Sequence, residues 1–234
     1  FHKKLFLFLA ICQSHAKQHK IPLIMVNQVG ANDDLIFDGN SLIINKEGIL
    51  THQLKAFEPE FQTIDLELEN ESSSLNTKKD TNETLYKALV LGIKDYANKL
   101  GIKKILIGLS GGIDSALTAT LACHAIGSEN VTCVMMPSAY SSDHSLSDSI
   151  TLSNNLGCNI HKLPIEPIID VYNDSISPLF KLRGSGTTEE NIQARVRGTL
   201  LMAIANKENA VSIIISAKIE SEISQLQPEE KNEY

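Results

Sequence analysis

The sequence predicts an α/β protein in which a parallel sheet is covered by helices on both faces. In the second half of the chain, short apolar runs that suit buried strands alternate with stretches of helical periodicity. Strands that are apolar on both faces and joined by crossover helices are typical of parallel sheets. With 234 residues, 42% hydrophobic and 21% charged, the chain is long enough for one large or two modest cores.

The N-terminal part of the chain predicts a helix followed by short strands. The opening run FHKKLFLFLAICQSHAK has an apolar stretch far shorter than the roughly 20 residues that cross a bilayer, and no small-residue cleavage site follows it. We therefore expect a helix cut from something larger, and no membrane partner. The runs IPLIMVNQVG and LIFDGNSLIINKEGIL predict strands with turns at Asp38-Gly39 and Glu47-Gly48.

Between the two halves, the pattern changes from strand-like to polar. The run FQTIDLELE, residues 61–69, alternates apolar and polar residues as a strand does, with its acidic residues facing water. The stretch from Asn70 to Asn82 has a single large apolar residue and predicts a linker.

The second half predicts a helix and then alternating strands and helices. The strands are KKILIGLS, VTCVMMPS, NIHKLPIE and AVSIIIS, and the helices run from about Asp114 to Ile126, Ser145 to Leu156 and Glu189 to Lys207. The helix that precedes them can be capped by Thr81 or Asn82 and is ended by Gly101. One of its faces carries Leu85, Leu89, Ile93, Tyr96 and Leu100.

The charge balance and the cysteines disfavour several functions. A net charge of -7 and a pI near 5.5 disfavour a surface that coats nucleic acid, so we expect no nucleic-acid partner. The four cysteines form no Cys-x-x-Cys pair and have no histidine at zinc-ligand spacing. We expect buried free thiols in a reducing, cytoplasmic compartment, with Cys12 as a core residue rather than a nucleophile.

The most informative stretch is LIGLSGGIDSALTAT, in which a strand, a glycine turn and a helix start follow one another. In a parallel sheet, ligands bind beyond the carboxyl ends of the strands. Gly111 and Gly112 let the main chain approach a ligand, and the following helix N-terminus offers N–H groups to an anion. Ser110 and Ser115 add hydroxyl groups. Asp114 would repel a phosphate, so the pattern predicts a divalent cation between them, with magnesium favoured by oxygen ligands.

A plain glycine turn is the alternative interpretation, with Asp114 placed early in a helix by the helix dipole. The chain has neither G-x-x-x-x-G-K-[ST] nor G-x-G-x-x-G, which sets aside two other phosphate-binding motifs. The full order of strand, SGGIDS and helix favours a pyrophosphate site over the plain turn.

The motifs then identify a family. SGGIDS resembles the signature of the ATP pyrophosphatase superfamily, which cleaves ATP between its α- and β-phosphates and adenylates a substrate oxygen. VMMPSAYSSDHSLSDS, ENIQARVRGTLLMAIANK and VNQVGANDDLIFDGNS resemble glutamine-dependent NAD synthetase. The resemblance implies a Rossmann-like, adenine-nucleotide α-hydrolase-like synthetase domain after a partial α-β-β-α nitrilase-like piece. The implied domains are 1–70 from the glutaminase, a linker at 71–82, a partial synthetase at 83–220 and a divergent tail at 221–234.

The resemblance implies an ATP-dependent ligase of NAD biosynthesis. ATP and deamido-NAD would give an adenylated carboxylate and pyrophosphate, and ammonia, derived from glutamine in the complete enzyme, would then displace AMP. Asn191 and Arg195 would contact deamido-NAD, while Asp114 and Glu220 would bind magnesium. The complete enzyme is expected to form homo-oligomers. The implied ATP-binding residues are Gly108, Leu109, Ser110, Gly111, Gly112, Ile113, Asp114 and Ser115.

The sequence also departs from the family pattern. The Glu-Lys-Cys glutaminase triad is absent, because in the family its cysteine lies upstream of the stretch that Phe1 and His2 resemble. Towards the other end, IISAKIE stands where the family has TTGNKSE, so Ile215 replaces a threonine that contacts ATP. Ala139 stands where the family usually has arginine. We therefore expect an incomplete piece of a longer enzyme that binds ATP weakly and makes no NAD by itself.

Two other functions stay open. A tRNA-modifying ATP pyrophosphatase would need a basic face and usually cysteines for sulfur transfer, which the acidic balance and cysteine pattern disfavour. A catalytically inactive nucleotide-binding paralogue fits the retained Asp114 and the lost threonine. Without the family resemblance, Arg195 and Arg197 are also compatible with solvated charges on a helix that is buried through Ile192, Val196, Leu200 and Ile204.

Overall fold

The computed structural model describes residues 2–33, 35–66, 81–138, 141–179 and 187–213. The chain divides into two compact units, Phe1–Leu100 and Gly101–Tyr234. Most of the predicted linker at 71–82 and all of the predicted tail at 221–234 lie outside the described residues. The domain limits expected from the family resemblance therefore stay a prediction.

The described ranges of the N-terminal unit contain two helices and two small antiparallel sheets. In chain order, its elements are α1 (His2–His19), β1 (Leu23–Met25), β2 (Val29–Asn32), β3 (Leu35–Asp38), β4 (Leu42–Ile44), β5 (Leu50–Gln53) and α2 (Thr81–Lys99). Strands β1, β4 and β5 form one sheet in the order β1-β4-β5, and β2 pairs with β3. The predicted turn at Glu47-Gly48 joins the antiparallel pair β4 and β5, as expected of a hairpin.

The core of this unit forms where α1 packs on the three-stranded sheet. Leu9, Cys12 and Ala16 of the helix are buried with Leu42, Ile44 and Leu50 of the strands. Cys12 is only 6% exposed, and burial raises the pKa of its thiol. The expected core role of Cys12 is confirmed.

The strand predicted from FQTIDLELE does not form over residues 61–66, the described part of that run. Alternation of apolar and polar residues produces a strand only where a neighbouring strand and a buried face are available. Phe61 is 92% exposed, so the apolar side chain that opens this run has no buried face to occupy.

Helix α2 confirms the helix predicted before Gly101, and it packs against the β2–β3 pair. The Asp95 carboxylate accepts a hydrogen bond of 2.8 Å from the Ala31 backbone N–H, and the Lys99 ammonium donates to the Ala31 carbonyl. The predicted apolar face lies mostly on the other side of the helix. Its exposed members are Leu85, Leu89, Tyr96 and Leu100.

Replacing Asp95 with alanine is expected to lower the free energy of unfolding by about 1–3 kcal/mol, because the nearly buried Ala31 N–H loses its acceptor. Glu83 provides a control on the same helix, since it forms an exposed ion pair with Lys87. Its replacement with alanine should cost no more than about 0.5 kcal/mol. Urea unfolding of the two variants measures this difference, and equal losses would contradict the assigned role of Asp95.

Over its described residues, the C-terminal unit is a four-stranded parallel sheet with helices between the strands, as predicted. Its strands are β6 (Ile105–Gly108), β7 (Val131–Met135), β8 (Asn159–Lys162) and β9 (Val211–Ile213), in the order β8-β7-β6-β9. All three strand pairs are parallel. The helices are α3 (Ile113–Ile126), α4 (Asp143–Leu156), α5 (Glu166–Ile176) and α6 (Thr187–Glu208).

Helix α5 was not predicted from the sequence. The run NIHKLPIE forms a strand only over Asn159–Lys162, and α5 begins at Glu166. Pro167 lies in the first turn of α5, where a missing N–H costs no helical hydrogen bond. Ile165 and Ile169 are buried one turn apart, so the apolar residues after the strand follow helical spacing.

Helices cover both faces of the parallel sheet. On one face, Leu106 and Val134 form a core with α5 and α6 that includes Ile165, Val196 and Leu201. On the other face, α3 packs against β6 and β7, and α4 packs against β7 and β8. Ile192, Leu200 and Ile204 pack against the core around Val196, which confirms the predicted buried face of α6. Among the described residues, no helix has the length and apolarity needed to cross a membrane.

The strand order also predicts a ligand-binding crevice at the carboxyl ends of the strands. The chain proceeds from β6 to β7 and β8 on one side, and then returns to the other side of β6 to form β9. In open parallel sheets, ligands bind beyond the carboxyl ends of the strands where the order reverses in this way. Gly108 ends β6 next to this reversal, and the SGGIDS stretch follows it.

Candidate functional site

A cavity of about 610 Å³ lies at the carboxyl ends of the strands of the C-terminal unit. The ends of β6, β7 and β9 contribute Gly108, Met135 and Ile213 to its lining. The loop after β6, the start of α3, helix α4 and helix α6 form the rest of the wall. The predicted site and the observed cavity therefore coincide at the strand-to-helix turn.

Five of the eight residues predicted to hold ATP line the cavity at this turn. Leu109, Ser110, Asp114 and Ser115 line the cavity together with Gly108. Gly111 lies in the turn between them with a φ of +82°. The side chain of Ile113 is 80% exposed and is not part of the cavity wall. Any contribution of Ile113 to a ligand would therefore come from its backbone.

Gly111 brings the loop into direct contact with helix α4. A Cβ atom added at Gly111 would lie 2.6 Å from the Cα, the Cβ and the carbonyl oxygen of Ser145. Only glycine fits at this distance, and its positive φ independently favours glycine. The N-terminal ends of α3 and α4 are consequently held side by side at the cavity.

The serine hydroxyls of the motif hold the loop in shape. The Ser115 hydroxyl, on a residue only 4% exposed, donates to the Gly112 carbonyl at 2.9 Å and lies 3.0 Å from the Ser110 hydroxyl. Ser115 Oγ also accepts from the Ser110 N–H at 3.2 Å, and Ser110 Oγ accepts from the Gly112 N–H at 3.3 Å. The hydroxyl of Ser115 thus has an internal structural role beside its position in the cavity wall.

The start of α3 has no side-chain cap. Gly112 is the N-cap residue, and glycine offers no oxygen to the first N–H groups of the helix. These N–H groups and the positive end of the helix dipole face a position that suits an anion. Asp114 adds a half-buried carboxylate at the same end of the cavity.

A row of serines at the start of α4 forms another part of the cavity wall. Ser145 and Ser149 lie one turn apart on the same side of α4, and Ser141 lines the cavity from the residue before the Ser142 cap. Ser142 caps α4 by accepting from the Ser145 N–H at 3.2 Å. The four-residue serine spacing in SAYSSDHSLSDS is a sequence signal for this wall that the motif-based prediction did not include.

Helix α6 presents a different arginine from the one predicted. Arg195 is exposed and its guanidinium donates to the Asn191 carbonyl of its own helix at 3.3 Å. Neither Asn191 nor Arg195 is part of the cavity wall, whereas Arg197 and Gly198 are. The assignment of Asn191 and Arg195 to deamido-NAD stays a prediction.

Arg197 is a half-buried cation, and within the part of the chain that the structure describes its hydrogen bonds all end on neutral acceptors. Its Nε donates to the Met136 carbonyl at 3.2 Å, and one terminal nitrogen lies 3.3 Å from Gln193 Oε1 and 3.5 Å from Ser138 Oγ. Burial lowers the pKa of this guanidinium. The alternative that Arg197 is a plain solvated charge, left open by the sequence, is wrong, because its side chain is half-buried and hydrogen-bonded.

Of the two residues predicted to bind magnesium, Asp114 and Glu220, the structure describes only Asp114. Asp114 places one carboxylate in the cavity wall, and carboxylate oxygens are suitable ligands for a hard cation such as Mg²⁺. Glu220, Ile215 and Ala139 lie outside the described residues. Over the described ranges, no group of three His, Cys, Asp or Glu side chains is arranged to hold a metal ion.

Comparisons with known proteins give a consistent family. The model of the NAD synthase family matches residues 85–224. A glutamine-dependent NAD(+) synthetase from Synechocystis sp. is 48% identical over 199 residues, which cover 82% of this chain and 35% of that protein. The match to one from Acinetobacter baylyi is 37% identical over 212 residues, or 89% of this chain and 39% of that protein.

Solved structures agree with the sequence matches. The structure of glutamine-dependent NAD+ synthetase from Acinetobacter baumannii in complex with ADP matches at a TM-score of 0.79 and 33% identity, over 96% of this chain and 43% of that one. An NH3-dependent NAD synthetase from Campylobacter jejuni matches at a TM-score of 0.53 and 28% identity, over 59% of this chain and 58% of that one. The chain spans about 35–39% of the length of the two curated relatives named above.

Proposed function

This chain belongs to the NAD synthase family, as its motifs predict, and we propose that its C-terminal cavity binds ATP and Mg²⁺ for the amidation of deamido-NAD to NAD. The observation that carries this proposal is the turn at Gly111, where two helix N-termini meet beside a carboxylate. The ADP present in the related Acinetobacter baumannii structure is consistent with a site for an adenine nucleotide.

The residues of the cavity fit a nucleoside triphosphate. The uncapped N–H groups at the start of α3 would bind phosphate oxygens, and the glycine backbone leaves room for close approach. The hydroxyls of Ser141 and Ser145 line the facing wall and can donate to further phosphate or ribose oxygens.

Asp114 would bind Mg²⁺ at this site. A carboxylate facing a triphosphate is repulsive, and a divalent cation between the two removes the repulsion. When bound, Mg²⁺ would neutralise negative charge that builds on the departing pyrophosphate. Asp114 would hold the cation on the α3 side of the cavity, while the helix N–H groups would orient the phosphates.

The reaction proposed for the complete enzyme has two steps. The carboxylate of deamido-NAD attacks the α-phosphorus of ATP and releases pyrophosphate, and ammonia then displaces AMP from the adenylate. Adenylation is needed because a free carboxylate is a poor electrophile. In glutamine-dependent relatives the ammonia would come from glutamine. Asn191 and Arg195 are proposed to contact deamido-NAD on the basis of their motif alone.

The test compares Asp114→Ala with Asp143→Ala. Asp143 is an exposed acidic residue in the first turn of α4, outside the cavity wall, so it matches the charge change without the proposed metal contact. In calorimetric titrations, Mg²⁺ should strengthen ATP binding to the unmodified chain and to Asp143→Ala, but not to Asp114→Ala. We expect the loss to be tenfold or more, or about 1.4 kcal/mol.

ATP–pyrophosphate exchange in the presence of deamido-NAD then separates the candidate functions. Exchange that Asp114→Ala abolishes supports ligase chemistry, while Mg²⁺-dependent ATP binding without exchange supports a nucleotide-binding paralogue. ATP affinity that does not depend on Mg²⁺ in any of the three proteins would overturn the role of Asp114.

A further inference from the structure

Three cysteines converge between the parallel sheet and the helices that cover it, away from the cavity. Cys133 lies on β7, Cys158 immediately precedes β8, and Cys123 lies near the C-terminal end of α3. The Sγ atoms of Cys133 and Cys158 are 3.8 Å apart, although the residues are 25 positions apart in sequence. All three thiols are free in the structure.

The sheet register explains why these two thiols meet. Cys133 pairs with Ile160 across the parallel β7–β8 ladder, and Cys158 precedes Ile160 by two residues. Residues two apart on a strand point to the same face, so Cys158 reaches Cys133 diagonally. A bond between the sulfurs needs a separation of about 2.05 Å, so they must close by somewhat less than 2 Å. Diagonal neighbours have Cα atoms about 7–8 Å apart, so this closure involves a shift of the backbone just before β8 together with side-chain rotation.

The two thiols differ in access. Cys158 is partly exposed, whereas Cys133 is fully buried, so an oxidant in solution reaches Cys158 first. Burial raises the pKa of the Cys133 thiol and raises that of Cys123 to about 11. Burial and a raised pKa both slow the reaction of the Cys133 and Cys123 thiols with a dissolved oxidant, because the thiolate is the reactive form.

We propose that Cys158 and Cys133 form a peroxide-responsive disulfide site. In the first step, Cys158 takes one oxygen from a hydroperoxide and becomes a sulfenic acid, while the peroxide is reduced to water or an alcohol. In the second step, the sulfur of Cys133 attacks the sulfenic sulfur, the S–O bond breaks and water leaves with the Cys133 proton. The net change is the loss of two hydrogens from the protein, and a dithiol reductant restores both thiols.

Because Cys133 lies next to Cys158, it can react with the sulfenic acid before a second peroxide molecule does. The sulfenic acid forms within contact distance of Cys133, so closure competes with a second peroxide molecule that would carry Cys158 to the irreversible sulfinic state. The Ser153 hydroxyl lies 3.3 Å from Cys158 Sγ and donates to the Cys158 carbonyl at 2.9 Å, which keeps this segment beside β7.

The test treats the folded, reduced full chain with hydrogen peroxide and maps its cysteines without reduction. Cleavage at Glu129 and at Asp143 or Asp148 puts Cys123, Cys133 and Cys158 on separate peptides. We expect a linked Cys133–Cys158 peptide pair that a dithiol reductant separates. In Cys133→Ala, Cys158 should instead gain oxygen atoms, and in Cys158→Ala no linked pair should form.

Cys12→Ala is the control, because Cys12 is a buried thiol of the N-terminal unit, and it should form the linked pair as the unmodified chain does. Mapping of the unmodified chain decides the proposal even if Cys133→Ala fails to fold. Irreversible oxidation of Cys158 without a linked pair, or a pair that joins Cys123 in place of Cys133, would overturn it. A linked Cys133–Cys158 pair that appears only after the chain has unfolded would also overturn the proposal.

Discussion

Alanine at Gly111 is expected to destabilise the C-terminal unit by roughly 2–5 kcal/mol and to remove measurable ATP binding. Two costs combine in this variant: a left-handed backbone with a side chain costs about 1–2 kcal/mol, and overpacking a close contact costs about 1–3 kcal/mol. The new Cβ would lie 2.6 Å from backbone atoms of Ser145, so helix α4 or the loop has to move. Both of these elements form the cavity wall.

Gly157→Ala separates the steric cost from the backbone cost. Gly157 ends α4 with a φ of +69°, close to that of Gly111, but a Cβ there would have no atom within 4 Å. This variant should lose only about 1 kcal/mol, and it should bind ATP as the unmodified chain does. Urea unfolding and ATP titration measure both effects. Equal destabilisation of the two variants, or normal ATP affinity in Gly111→Ala, would show that the contact with Ser145 does not shape the site.

The strand-to-helix turn was predictable because its chemistry is local. A strand, two glycines and a helix start are adjacent in sequence, and the positive φ of Gly111 follows from the same few residues. The strands β6 and β7 and the helices α3, α4 and α6 were predictable for a similar reason, since each has the periodicity of its own secondary structure. Helix α5 was missed because LPIEPIID combines a short apolar run with proline, a pattern that a strand end and a helix start share.

The walls that face the turn depend on contacts between distant residues. Arg195 and Arg197 are separated by about 200° around α6, since each helical residue turns by about 100°. Both lie beside the buried stripe of that helix, and the sequence pattern does not tell which side faces the cavity. The strand order β8-β7-β6-β9 determines it, because β9 brings α6 back over β6. The serine row of α4 became part of the site through the same long-range packing.

Arg197→Gln is expected to weaken ATP binding by roughly tenfold to a hundredfold, because a hydrogen bond to a charged group contributes about 1.5–3 kcal/mol. A half-buried guanidinium has lost part of its hydration, and its assigned partners are the neutral Met136, Ser138 and Gln193 oxygens. An anion bound in the cavity would replace the favourable interaction with water that the guanidinium has lost. Removing the charge should therefore reduce the affinity for ATP more than that for adenosine, which has no phosphate.

Arg197→Lys distinguishes the charge from the shape of the side chain. Lysine keeps the positive charge but cannot donate to Met136, just after β7, and to Gln193 on α6 in the planar geometry of a guanidinium. If Arg197 acts on phosphate through its charge, Arg197→Lys should retain much of the ATP affinity that Arg197→Gln loses. If it acts mainly by joining α6 to the end of β7, both variants should lose stability and ATP affinity together.

Lys207→Gln is the matched control for Arg197, since it removes one positive charge from an exposed position in the last turn of the same helix. A general electrostatic effect of α6 on a triphosphate would weaken ATP binding in both glutamine variants, and added salt would screen it. An effect confined to Arg197 requires its position in the cavity wall, since both variants carry the same net charge. The ratio of ATP to adenosine affinity, measured for all four proteins at two salt concentrations, therefore decides whether the buried guanidinium recognises phosphate directly.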